Sequence, residues 1–485
     1  MKRSIAGQPA ARLYAVVLLA FMFLAATLLR DSPHYWLIVR VTAIIAGGLA
    51  CVDGGAAAVL LSGMPMLDSH WRGYQLLLPA LTMAGVVYRS RANFKGAWHV
   101  PARTLLDLSV TLFAIAALVS VPGSVDQSVS LHAFVRVIAL VIGYVALSRL
   151  LLDSSILKVM LWTIAAAGTY SSLIAFDQAF RSKPLVPTIE SFATGMAFPA
   201  FRVSGFFDNP NTFAVAMTLS VLACFKLAID APRPPLKLLY AAGTLASLAA
   251  IGLSHSRAGY IGIIAGMSVL LWTHRPRIRF GPAMAPLAGC VVLVLWQGGV
   301  AQRALTLADY ASDPSSMDRI YLSEVSLRMF ADRPLFGVGL ASMPQAFSRY
   351  YDPRVTVEVT DGHQMPFSIP AETGLLGLAA ELAVAVAFVT AISRTRRKRG
   401  QGLAAIGPAL VASLLAISFF NTLTYMQSFW IGLAVLGTQA LRDKRTPTTE
   451  AGCAEDLFAR DSSPHDDGPF RNQEHTQSSR GHARG

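Results

Sequence analysis

Long apolar runs separated by short polar loops repeat along most of the 485-residue chain. Most runs have about 20 residues, the length that an α-helix needs to cross the hydrocarbon core of a bilayer. They predict membrane-spanning helices near residues 13–30, 36–52, 54–67, 74–88, 104–121, 131–148, 158–176, 211–229, 238–253, 258–273, 282–300, 374–393, 403–420 and 424–441. The third run is short and Gly-rich, so a broken or re-entrant segment is an alternative to a full span there. The predicted fold class is an all-α polytopic integral membrane protein with about 12–14 transmembrane helices.

Composition agrees with this pattern, since 54% of the residues are hydrophobic and 14% are charged, against about 25% charged in soluble proteins. The net charge of +13 would also suit a nucleic-acid-binding protein. Lys and Arg, however, concentrate in alternate loops such as 89–103, 275–279 and 394–399, while 122–130 and 421–424 contain none. This positive-inside pattern places the basic loops in the cytoplasm. The basic charge therefore sets topology and predicts no nucleic-acid partner.

Two polar segments between predicted spans, 177–210 and 301–373, are much longer than the other loops. A structureless loop as long as the second would be unusual, so we expect it to carry function. The predicted organisation is a cytoplasmic N-terminus (1–12), a transmembrane bundle (13–300), one large external loop with a helix (301–373), C-terminal transmembrane helices (374–441) and a disordered cytoplasmic tail (442–485).

The long loop is predicted to contain a helix near 314–332. Its expected apolar side carries Met317, Tyr321, Val325 and Met329, and its expected polar side carries Arg319, Ser323 and Ser326. The loop has six Arg, no Lys and nine acidic residues, so its arginines are not a remnant of general basicity. Arginine suits planar, bidentate contact with phosphate or carboxylate.

His363 lies in the segment Asp361-Gly362-His363-Gln364, just before a predicted span. A histidine has a pKa of about 6.5 and can take a proton from a hydroxyl at neutral pH. The alternative is a loop histidine that only hydrogen-bonds to backbone. Glu372 could orient His363 or pair with an arginine, and the sequence leaves both open.

Three arginines are candidates for binding an anionic group outside the membrane. Arg257 is fixed in a very short external turn, against the positive-inside bias, although an interfacial arginine can also extend to headgroups. Arg319 lies on the polar side of the loop helix and could equally be a solvated surface charge. Arg202 precedes a Phe-Phe and Asx-Pro turn, and it could also be a solvated surface charge.

The sequence contains no Gly-rich nucleotide loop, no external Asp-x-Asp pair and no zinc-ligand spacing. It predicts neither a metal nor another cofactor. An external site has no supply of ATP or nucleotide-sugar, so a donor used there must carry its own activation. A lipid diphosphate does so, and arginines stabilise the charge that grows on it as the bond breaks.

Several motifs together resemble the O-antigen ligase family. His363-Gln364, nine residues and then Gly374-Leu375-Leu376-Gly377 match that family's histidine motif, and Arg257 with Ile261 resembles its Arg-x-x-x-Leu motif, with Ile in place of Leu. Asp318-Arg319 and the segment 334–339 are similar to the large-loop region shared by O-antigen ligases and O-antigen polymerases, and 206–211 is similar to an upstream turn. The resemblance covers about residues 200–377.

The resemblance implies a metal-independent membrane glycosyltransferase of the GT-C type in the bacterial inner membrane. It implies a glycan donor linked to undecaprenyl diphosphate and an active site facing the periplasm, so that the long loop is periplasmic. If the matching motif residues have the same roles as in that family, Arg257 and Arg319 bind the donor diphosphate and His363 activates the acceptor hydroxyl. We further predict substrate contacts for Arg202, Asn209, Gln364 and Glu372.

The acceptor distinguishes several functions within this resemblance. Lipid A-core as the acceptor makes the protein an O-antigen ligase, which the histidine motif favours. The next lipid-linked repeat unit makes it an O-antigen or exopolysaccharide polymerase, and a protein hydroxyl makes it an O-oligosaccharyltransferase. A transporter or flippase for lipid-linked sugars is an alternative of another class, for which Arg40, Asp53 and Arg136 are candidate ionisable groups within the membrane. The location of the main candidates on one face favours a transferase.

Overall fold

The computed structural model describes residues 9–29, 32–67, 81–83, 104–181, 202–274, 314–397 and 406–445. Within these ranges the chain forms helices and turns and contains no strand. The helices are α1 (Pro9–Leu28), α2 (Tyr35–Val52), α3 (Gly54–Gly63), α4 (Leu105–Ser120), α5 (Gln127–Leu150), α6 (Ser154–Arg181), α7 (Pro210–Asp230), α8 (Pro234–Leu253), α9 (Arg257–His274), α10 (Pro314–Asp332), α11 (Met343–Phe347), α12 (Met365–Arg397), α13 (Gly407–Ser418) and α14 (Gln427–Arg445).

The all-α polytopic membrane fold is confirmed. Seven of the described helices are long and apolar enough to cross a membrane, and four more are apolar but shorter. The predicted spans 74–88, apart from residues 81–83, and 282–300 lie outside the described residues, as does the tail after residue 445. The predicted number of spans therefore stays a prediction.

The short third run forms α3, which continues as a 3-10 turn over Met64–Leu67 and is buried along its whole length. The carboxylate of Asp53 caps α3 by accepting a hydrogen bond from the backbone N–H of Ala56 at 2.8 Å, and it pairs with Arg12 at 3.2 Å. This explains Asp53, one of the ionisable residues considered for transport, as a helix cap.

Helix α7 lies at the centre of the bundle. In its most apolar 18-residue stretch 83% of the residues are buried, against 22% to 56% in the other long apolar helices. It packs against α6, α8 and α9. Small residues allow this close approach, since a Cβ on Gly168 of α6 would collide with the Ser220 side chain of α7.

The long loop has a small hydrophobic core of its own beneath α10. Its buried members are Leu322, Val325, Met329, Val338, Met343, Ala346 and Ala371. The loop helix is confirmed as Pro314–Asp332. Because Ala371 lies on α12, this core fastens α10 to the start of α12.

The predicted polar side of α10 was wrong for two of its residues. Ser323 and Ser326 are buried, and their hydroxyls donate to the carbonyls of Arg319 and Leu322, one turn earlier, at 2.8 and 2.9 Å. Each buried hydroxyl thus has a hydrogen-bond acceptor within its own helix. Leu327 is instead 51% exposed, so the buried face of α10 is rotated from the expected one.

Helix α12 is broken at Gly374, which has φ 70° and ψ −157°. The turn 334–339 docks at this break: the N–H of Leu375 donates to the carbonyl of Pro334 at 2.8 Å, and the N–H of Val338 donates to the carbonyl of Ala371 at 2.9 Å. A Cβ on Gly374 would collide with the Leu335 carbonyl. Positive φ and close backbone approach therefore both require glycine at 374.

We predict that Gly374→Ala destabilises the protein by about 2 to 4 kcal/mol, from left-handed strain plus the overpacking penalty. Gly48→Ala is the matched control, because nothing lies within 4 Å of a Cβ at this exposed helical position. Thermal unfolding in detergent should show a lower midpoint for the first variant and an unchanged or higher one for the second. Equal midpoints would contradict the described backbone approach.

Candidate functional site

His363 occupies the turn that leads into α12. Its backbone is left-handed, with φ 52°, which costs a non-glycine residue about 1 kcal/mol. The turn is held by Asp361, whose Oδ1 accepts a hydrogen bond from the backbone N–H of His363 at 2.7 Å. This is an Asx-type turn, in which the carboxylate bonds the backbone two residues ahead. The turn presents the imidazole at the surface, where it is 33% exposed.

The same carboxylate contacts the imidazole ring, with Asp361 Oδ1 2.8 Å from His363 Nδ1. A proton on Nδ1 makes this a hydrogen bond and leaves the lone pair on Nε2. Partial desolvation would raise the pKa of the Asp361 carboxyl, whose side chain is 45% exposed, but the hydrogen bond and charge of His363, with the charge of Arg319, hold that pKa below its ordinary value. An ionised Asp361 would stabilise the imidazolium that forms when His363 accepts a proton.

Arg319 lies near this pair, since its charge acts on Asp361. Two of the three predicted catalytic residues, Arg319 and His363, are therefore brought together although 43 intervening positions separate them in the sequence. The side chain of Gln364 contacts the hydroxyl of Ser323, which lies on the same helix as Arg319. Asp318 accepts bonds from the backbone N–H and hydroxyl of Thr356 at 2.7 and 2.9 Å. These contacts fix α10 beside the His363 turn.

Arg257 begins α9. The turn directly before it is held by hydrogen bonds among a second set of polar side chains. Arg202 donates to the carbonyl of Ser254 at 2.9 Å and to the side-chain oxygen of Asn211 at 3.2 Å. The hydroxyl of Ser256 donates to the same Asn211 oxygen at 2.9 Å. Among the described residues, no hydrogen bond joins this group to His363. Helix α9, which begins at Arg257, does pack against α12.

The predicted substrate-binding residues all have contacts within the protein. Arg202 donates to the turn before Arg257, and Asn209 caps α7 by accepting from the backbone N–H of Asn211 at 2.7 Å. The side chain of Gln364 contacts the hydroxyl of Ser323. Their contacts with substrate stay predictions.

Glu372 is buried, and its carboxylate accepts a hydrogen bond from the backbone N–H of Ala341 at 2.9 Å. The sequence left open whether Glu372 orients His363, but the contact to the ring comes from Asp361. The sequence motifs assign no role to Asp361. An aspartate two residues before a histidine was the available signal, because it favours an Asx-type turn.

The comparison with protein families matches this region. Residues 242–382 match the family described as O-Antigen ligase. This segment is an O-antigen ligase domain. It contains Arg257, Arg319 and His363, and it leaves Arg202 and Asn209 outside. No curated protein matches the chain. The matched segment is thus part of a multi-pass membrane protein.

We predict that Asp361→Asn lowers the transfer rate by about 10- to 100-fold, because the imidazolium loses a charged hydrogen-bond partner. Asparagine keeps an oxygen for the backbone N–H of His363, so the turn and the melting temperature should be preserved. Glu358→Gln, the same charge change at an exposed position of the loop, should not alter the rate. A wild-type rate for Asp361→Asn would show that the carboxylate does not act through His363.

Proposed function

We propose that this protein transfers a glycan from undecaprenyl diphosphate to a sugar hydroxyl on the periplasmic face of the bacterial inner membrane, as an O-antigen ligase with lipid A-core as acceptor. The observation that carries the proposal is the Asp361–His363 pair beside Arg319 within the O-antigen ligase domain. The basic loops predicted to be cytoplasmic support a site on the opposite, periplasmic face.

In the proposed reaction, Nε2 of His363 removes the proton of the acceptor hydroxyl. The acceptor oxygen forms a bond to the anomeric carbon of the donor glycan while the bond from that carbon to the diphosphate oxygen breaks. Undecaprenyl diphosphate leaves with the electron pair, and His363 later returns its proton to solvent. Direct displacement inverts the anomeric configuration. Asp361 stabilises the positive charge on the ring while the proton is held there.

Arg319 and Arg257 are assigned to the leaving diphosphate. Negative charge grows on its bridging oxygen as the bond breaks, and a guanidinium placed there stabilises the transition state more than the ground state. The planar fork of arginine also fixes the orientation of the phosphate through two parallel hydrogen bonds. The location of Arg319 near the acceptor base supports this assignment.

We predict that His363→Ala lowers transfer at least about 100-fold, because it removes the general base. The variant should still fold and bind the lipid-linked donor. His132→Ala is the control, since it removes an exposed histidine near the start of α5. Transfer is measured as product glycan formed by membranes that contain each variant. Wild-type output from His363→Ala would refute the mechanism.

We predict that Arg319→Lys and Arg257→Lys recover little activity, because lysine supplies charge without the planar fork. The loss should appear in kcat as well as in KM for the donor, since the interaction strengthens as the diphosphate leaves. Arg349→Lys, at an exposed arginine of the same loop, should remain fully active. Full activity of the Arg319→Lys and Arg257→Lys variants would favour bulk electrostatics over bidentate binding.

The acceptor is tested by the glycans of a strain that lacks the protein. Long chains that persist on undecaprenyl diphosphate but are missing from lipid A-core are the result expected for the ligase. Accumulation of single lipid-linked repeat units would instead identify a polymerase and overturn the proposed acceptor.

A further inference from the structure

The turn between α13 and α14 lies close to the His363 turn. The charges of Glu372, Arg136 and Asp361 all act on Tyr425 in this turn. Its backbone is fixed: the N–H of Asn421 donates to the carbonyl of Ile417 at 3.1 Å, and that of Met426 to Leu423 at 2.9 Å. The turn therefore has a defined backbone and lies near the proposed base.

Four side chains in this turn have a buried polar atom with no hydrogen-bond partner among the described residues. They are Asn421 (Nδ2), Thr422 (Oγ1), Thr424 (Oγ1) and Tyr425 (OH). Thr424 is only 1% exposed and Asn421 is 9% exposed. Leaving such a group unpaired costs about 1 to 3 kcal/mol. Native proteins have only a few per 100 residues, so four within five positions need an explanation.

The unpaired groups are electrically neutral. Burial, followed by the negative charge of Glu372, raises the pKa of the Tyr425 phenol well above its ordinary value, so it keeps its proton. The other three groups are an amide and two hydroxyls. Together they offer donors and acceptors without charge, which suits sugar hydroxyls better than a diphosphate.

We propose that the turn 421–425 is a saccharide-binding subsite that hydrogen-bonds the hydroxyls of a glycan substrate. The proposal rests on the function proposed above and deepens it, since neither the histidine nor the arginine motifs assign a role to this turn. Its ligand chemistry is a sugar hydroxyl, which either the donor glycan or the acceptor glycan can supply. Binding gives the buried groups the partners that the described part of the chain does not provide.

The test uses Thr424→Val and Tyr425→Phe, which remove the unpaired hydroxyls with little change of shape. If the hydroxyls serve only a substrate, their removal leaves the melting temperature unchanged or raises it, because an unpaired buried group is lost. Transfer should nevertheless fall about tenfold for each hydroxyl. Ser171→Ala is the matched control, because its buried hydroxyl also has no partner among the described residues and lies on α6. It should leave transfer unchanged.

Membranes carrying each full-length variant are titrated with undecaprenyl-diphosphate glycan and, separately, with glycolipid acceptor, both extracted from cells that lack the protein. A higher KM for the lipid-linked glycan assigns the subsite to the donor, and a higher KM for the glycolipid assigns it to the acceptor. Wild-type kinetics for both substrates, or a lower melting temperature for either variant, would overturn the subsite. If the wild-type protein itself transfers no glycan from the lipid diphosphate, the proposed function fails instead.

Discussion

The docking of the turn 334–339 onto the break in α12 holds the rest of the segment 314–373 in place. Its backbone hydrogen bonds reach both sides of Gly374, and the chains approach so closely that a side chain at Gly374 would collide with the turn. The hydrophobic core beneath α10 continues from this contact onto α12. As a result, Arg319 on the loop helix and His363 at the start of α12 are positioned by one packed unit. Buried backbone bonds of this kind are costly to leave unmade.

Much of the architecture could be predicted because its cause is local. In lipid, the backbone N–H and C=O groups of a run of about 20 apolar residues find hydrogen-bond partners within the run when it forms a helix. In the long loop, a four-residue apolar repeat was sufficient to place the helix at 314–332. The buried face of that helix could not be predicted in the same way. It depends on contacts with Met343 and Ala371, which are distant in sequence. Burial of Ser323 and Ser326 follows from those contacts and from bonds to their own helix.

The candidate site was likewise predicted only in part from the sequence. Its motifs identified His363 and Arg319 because a titratable group and an arginine stand out in a largely apolar chain. They did not identify the partner of the imidazole, because the sequence offered Glu372 for that role and only the folded chain places Asp361 against Nδ1. Thr424 and Tyr425 are ordinary turn residues in the sequence. Only tertiary burial without partners distinguishes them.

The break in α12 also resolves a mismatch with bilayer thickness. An unbroken helix of 33 residues would be a rod of about 50 Å, whereas the hydrocarbon core measures about 30 Å. After the break, residues 375–397 extend over about 35 Å, a length that a modest tilt accommodates. Residues 365–373 can then follow the loop and not the membrane normal. The His363 turn therefore does not have to lie on the axis of the part of α12 that crosses the bilayer.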